Sequence, residues 1–222
     1  MSNNTTRYRF ERQLNRLAED ILQLGSMARS AVRRSMDALA NRNVELARTV
    51  IAEDLGINRL RFDIESQCYA LLATEQPVAG DMRRIAAALT IANDLERIGD
   101  HAKRIASICI RMQEAPQAMP QTDLGHMSDM ALDMLDRALQ LLVKPDVAEA
   151  QAVCKDDDGV DALHKQSFNR VLGYMLANPR FIQTGTYLIQ VAHELERVAD
   201  RATNIAERVI YSATGELVDL NV

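Results

Sequence analysis

Apolar residues return along this chain at alternating intervals of four and three, and the prolines interrupt that rhythm instead of following it. Phe10, Leu14, Leu17, Ile21, Leu24, Ala28 and Ala31 give a first long helix one apolar face, and "NRN" at 41–43 breaks it. A second helix, about Val44 to Thr74, carries Ala47, Val50, Asp54, Ile57, Arg61, Ile64, Cys68 and Leu71 in the same register and ends at Pro77. A third, about Val78 to Met112, carries Ile91, Leu95, Ile98, Ala102, Ile105 and Cys109. After the breaker-rich "EAPQAMPQT" the pattern restarts, with helices expected at about Asp123 to Val143, Asp146 to Ala177 and Arg180 to Ser212. The stretches between prolines are rich in Ala, Leu, Arg, Glu and Met, all good helix formers. Their seven-residue rhythm is that of helices packed lengthwise.

The second half rewrites the first. "ANDLERIGDHAKRIA" from Ala92 returns as "AHELERVADRATNIA" from Ala192, with eight of the fifteen positions identical at an offset of 100. The fifth helix overlies the second at an offset of 103, so that "VIAEDLGIN" from Val50 matches "VCKDDDGVD" from Val153. Core periodicity does not require "LER" and "D" to recur together, so the chain reads as a duplicated unit. The expected fold is all-α: six long helices in two tandem, pseudo-symmetric three-helix bundles, residues 1–115 and 116–222.

Composition narrows the picture. The chain is 47% apolar but only 4% aromatic and has no Trp, which favours an aliphatic helical core over a sandwich or barrel. Net charge is −5 with Lys and Arg scattered, so a nucleic-acid footprint is missing. Cys68, Cys109 and Cys154 are far apart and odd in number; they read as reduced thiols of a cytoplasmic protein. No stretch reaches the roughly 18 to 20 apolar residues a membrane span needs, and the N-terminus lacks a signal-type apolar run. Contact with membrane complexes is therefore expected to be peripheral.

The repeated acids carry the candidate chemistry. Glu96 and Asp100, like Glu196 and Asp200, sit one turn apart on one helix face, continuing a stripe that begins with Met82, Ile85, Leu89 and Ala92. Like charges beside packed surface need a cation or a proton to compensate. Asp54 occupies a core position of the second helix, with Asn58 one turn on; the second unit has Asp157 and Asp161. If the second and third helices run antiparallel, Asp54 pairs with Asp100 and Asn58 with Glu96, at equal distances either side of Pro77. Asp157 and Asp161 bear the same relation to Asp200 and Glu196 about the Asn178–Pro179 turn. Each unit then presents one oxygen-rich cluster about 20 residues, or roughly 30 Å, from its turn. Such a set suits a divalent or trivalent ion, among magnesium, calcium, manganese, iron and zinc. The alternative is a solvated face of ion pairs such as Asp100 with Arg104, although Asp200 has only Asn204 at that spacing.

Other residues say less. Asp161 and His164 make a carboxylate-x-x-His step that the first unit lacks, and His101, His126 and His193 have no repeat partners; all four read as surface or interface side chains. Arg97 and Arg197 do repeat, as braces for the carboxylates, contacts for an anionic partner, or ion pairs with Asp94 and Glu194. Met127, Met130 and Met134 read as core filler or a partner surface. With no catalytic triad, glycine-rich phosphate loop or HExxH, catalysis is not expected.

"ANDLERIGD" and "AHELERVAD", each preceded by "EDLGIN" or "DDDGVD" about 40 residues upstream, together with "TEQPVAGDMRRI", resemble the PhoU family over about residues 8–213. The resemblance implies two spectrin-repeat-like three-helix bundles and, in some members, metal ions held by E/DxxxD motifs. Those motifs fall here on Glu96 and Asp100, Glu196 and Asp200, and Asp157 and Asp161. Asn58 departs from the pattern, so the first site is expected to bind less tightly than the second. Ala199 replaces a common glycine, with little change expected. The implied role is negative regulation of phosphate signalling and uptake, coupling a high-affinity phosphate ABC importer, through its ATPase subunit, to a sensor histidine kinase. A homodimer is the expected assembly. A metal-dependent phosphoryl-handling enzyme, and an accessory or metal-storage protein of another phosphate transporter, are the competing readings.

Overall fold

The structure, a computed structural model, describes residues 2–75, 77–115 and 122–216, the side chains of 2–6 and 114 excepted. Six helices follow in order: α1 Ser2–Ala40, α2 Val44–Thr74, α3 Ala79–Arg111, α4 Leu124–Val143, α5 Val147–Ala177 and α6 Ile182–Thr214. Among the described residues there is no strand. The expected boundary between residues 115 and 116 adjoins 116–121, which lie outside the described residues.

The breaks have local causes. Arg42 takes a left-handed φ of 50°, and the Asn43 N–H reaches back to the Ala38 carbonyl at 2.8 Å, which closes α1. The Asn43 side chain then accepts from the Leu46 N–H and starts α2. Asp146 caps α5 in the same way, accepting from the N–H groups of Ala148 and Glu149. Pro179 opens a single 3₁₀ turn, Pro179–Phe181, that leads into α6.

The apolar positions expected on α3 and α6 are all buried, as are those on α2 apart from half-exposed Arg61. Two expectations shift. In α1 the buried register moves from Ala28 to Val32, Ser35 and Leu39, leaving Ala31 only partly covered. A helix of 3.6 residues per turn drifts away from a strict seven-residue repeat, and Val32 takes over the face. The stripe ahead of Glu96 is mixed, since Ile85 and Ala92 are buried but Met82 is exposed. Met82 lies in the first turn of α3, where the packing surface begins.

Helices α1, α2 and α3 pack on one another, as do α4, α5 and α6. The two bundles meet chiefly through α3 and α6, with α1 against α4 at one side. The core is continuous across that seam and aliphatic, including Leu24, Ile91, Leu95, Ile105, Leu132 and Leu135. Met127 and Met134 lie fully inside it. The three cysteines are buried free thiols, and burial pushes Cys68 and Cys154 up to about 12, so they stay protonated.

Candidate functional site

The α2–α3 seam holds the first carboxylate set. Asp54 is 3% exposed, and its Oδ2 accepts from Lys103 Nζ at 2.7 Å and from Asn58 Nδ2 at 3.0 Å. Its Oδ1 is buried with no donor. Burial, and then the charge of Asp100, push the Glu96 carboxyl above its ordinary value, with Asp54 adding to the effect. The chain can come this close because position 99 is glycine: a Cβ there would stand 2.9 Å from Ile57 Cδ1 and 3.8 Å from Asp54 Oδ1.

The α5–α6 seam holds the second. Asp157 is 9% exposed and its Oδ1 is buried without a donor. Burial first, then the charges of Asp200, Asp161 and Glu196, push its carboxyl up to about 7. Glu196 is raised by burial and by Asp200, and its Oε2 is a second buried oxygen without a hydrogen-bond donor. Asp161 turns outward toward Lys165 at 3.5 Å, and Asp200 toward Arg197 at 3.2 Å. The rings of His164 and His193 stand 6.1 Å apart, and His193 Nδ1 is 3.5 Å from Glu196 Oε2. The sequence marked neither histidine as part of this cluster.

One residue outside the sequence-marked acids distinguishes the two sets. Lys103 brings an ammonium to Asp54, which is its own counterion. At the matching position the second unit has Thr203, buried, with its Oγ1 unpartnered. Asp54 of the first cluster thus has a cation bonded to it, and Asp157 of the second does not. The repeat alignment carried this signal, since Lys103 stands against Thr203 three residues past the repeated aspartate.

Across the seam between the bundles, Asp94 of α3 accepts from Arg201 of α6 at 3.2 Å. Glu194 of α6 stands 2.6 Å from His101 Nδ1 of α3, and Arg104 Nη1 is 3.3 Å away. Burial would raise Glu194, but the His101 hydrogen bond and the Arg104 charge outweigh it and hold the carboxyl below its ordinary value. Of the three readings open for Arg97 and Arg197, these contacts exclude the ion pairs with Asp94 and Glu194. The acids at i−3 are taken by the other bundle, so Arg97 is left 4.0 Å from Asp100, and Arg197 pairs with Asp200. His101, read as a surface or interface residue, is a buried interface residue.

The PhoU domain matches the chain twice, over residues 21–109 and 124–209. The chain belongs to the PhoU family. It is 36% identical over 217 residues to the phosphate-specific transport system accessory protein PhoU homolog of Clostridium acetobutylicum, covering 97% of this chain and 99% of that one. It is also 36% identical over 207 residues to the Aquifex aeolicus homolog, covering 93% and 94%. The crystal structure of the phosphate transport system regulatory protein PhoU from Streptococcus pneumoniae superposes with a TM-score of 0.89 at 30% identity, covering 95% of this chain and 99% of that chain.

Each matched PhoU segment contains one carboxylate set. In the side-chain arrangement present, no group of three or more His, Cys, Asp or Glu among the described residues stands so as to hold a metal ion. The donor chemistry of the second set nonetheless fits a hard cation: carboxylate oxygens, two of them buried and without a hydrogen-bond donor. Asp161 and Asp200 would have to release Lys165 and Arg197 and turn inward to close it. Among the described residues, no helix of this PhoU chain is long and apolar enough to cross a membrane.

Proposed function

We propose that this protein is a regulatory adaptor of phosphate uptake, coupling a phosphate importer's ATPase subunit to a sensor histidine kinase and restraining the response when phosphate is ample. End-to-end similarity to proteins named as accessory to phosphate-specific transport supports the reading. So do Leu55, Phe62 and Tyr69, exposed at seven-residue spacing on α2, where apolar side chains left in water suit a protein partner. The assembly proposed is a homodimer.

The second cluster is proposed as a metal centre, with Asp157, Asp161, Glu196 and Asp200 as its ligands. A bound ion would supply positive charge there. The observation that carries this part is Asp157: a buried carboxylate with an unpartnered oxygen, beside three other acids and with no cation bonded to it. The first set, Asp54, Asn58, Glu96 and Asp100, is proposed as the weaker site because Lys103 already supplies charge.

Elemental analysis of protein purified without chelator should find a tightly held ion that Asp157→Asn with Glu196→Gln removes. Metal-free protein, or unchanged metal content in that variant, would sink the site. Co-purification of the full chain with the importer's ATPase subunit and with the kinase tests the adaptor role. Failure to bind either would refute it whatever the metal content.

A further inference from the structure

Where α3 crosses α6, a half-open cavity of about 410 Å³ is walled by Arg97, Arg104, Arg197 and Arg201, two histidines and one acid, Glu194. In a chain of net charge −5 this is a concentrated positive patch. It lies on the α3–α6 seam, and Arg97, Arg197 and His193 in its wall also face acids of the two carboxylate clusters.

The arginines are not used up by their neighbours. Arg97 makes no hydrogen bond; its nearest carboxylates are Glu96 at 3.9 Å and Asp100 at 4.0 Å. Arg104 gives one N–H to Glu194, and its other acid, Asp100, is 3.9 Å away. Arg197 gives one N–H to Asp200. Arg201 gives one to Asp94, and its Nε is buried without a partner. Five N–H donors per guanidinium leave most of this capacity free. Planar forks converging from two helices match a tetrahedral oxyanion, which can accept several charge-assisted bonds at once.

We propose that this cavity is a binding site for a phosphate-type oxyanion, either free inorganic phosphate or the phosphate group of a small ester. Glu194 selects the anion. Its Oε2 is held by His101 and Arg104, while Oε1 makes no hydrogen bond and remains an acceptor. Protonated phosphate carries an O–H that Oε1 can accept; sulfate has none and meets the carboxylate as a like charge. A site that accepts a ligand hydroxyl rejects the analogue lacking it. The site stands on the seam geometry alone and does not depend on a metal in either cluster.

The test is calorimetric titration of the chelator-treated full chain with inorganic phosphate, sulfate and glycerol phosphate in low-chloride buffer. Phosphate should bind at least about tenfold more tightly than sulfate. Arg97→Ala with Arg197→Ala should weaken it at least about tenfold while leaving helicity and melting temperature near wild type, since neither residue is buried. Asp157→Asn should leave it unchanged, which separates this site from the metal centre. Binding of the ester but not of free phosphate would assign the site to an esterified ligand. Absence of binding by both, sulfate binding as tightly as phosphate, or full affinity in the double arginine variant would overturn the proposal.

Discussion

A lysine ammonium 2.7 Å from a buried carboxylate oxygen gives Asp54 the charge its surroundings deny it, and the threonine at the matching place in the second unit cannot. Lys103→Met would leave Oδ2 with only the Asn58 amide. A hydrogen bond to a charged group contributes about 1.5–3 kcal/mol, so the variant should lose about that much stability in urea unfolding. Thr203→Val should not repeat that loss, because Thr203 is uncharged, its buried Oγ1 makes no hydrogen bond, and valine keeps its shape. Glu194 gives the other residue-scale expectation. Its folded pKa lies below its ordinary value, so its contribution to stability is present above about pH 4.5 and is lost as pH falls through the lower folded value. The melting-temperature gap between wild type and Glu194→Gln should be widest near neutrality and close in acid. A gap independent of pH would show that the carboxylate's charge is irrelevant to the seam.

At the scale of elements, Gly99 and Ile57 form a fitted pair where α2 approaches α3. A methyl at 99 would meet Ile57 Cδ1 at 2.9 Å and Cγ2 at 3.2 Å. The repeat counterparts are Ala199 and Val160, both fully buried, so the second unit carries the larger residue on one helix and the smaller on the other. Overpacking costs about 1–3 kcal/mol, against up to about 1 kcal/mol gained by replacing glycine in a helix. A double-mutant cycle of Gly99→Ala and Ile57→Val should therefore show favourable coupling of at least about 0.5 kcal/mol. The helices themselves were legible because one face stays apolar over many turns and Asn43, Pro77, Asp146 and Pro179 punctuate them. Within each hairpin, equal distances from the turn placed Asp54 and Asp157 beside the acids of the next helix. Lys103 was not read, because a lysine one residue past a core alanine looks like any solvent-facing residue until the neighbouring helix is in place.

On the scale of the whole molecule, the seam between α3 and α6 lay outside what periodicity reports. A heptad says that a face is covered, not which of several helices covers it. The signal was in the duplication: acids at 94 and 194, and imidazole or guanidinium at 101 and 201, repeat at the offset of 100 that marked the "LER" motifs. Asp94 meets Arg201, and Glu194 meets His101, so each contact is the other with its partners exchanged. Reciprocity of this kind defines an isologous interface, in which residue i of one subunit meets j of its mate and j meets i. The two bundles are thus joined as a two-fold dimer would be, within a single covalent chain. An ancestor with one unit could have made the same seam by pairing with itself. Lys103 against Thr203 is one place where the two units of this chain differ.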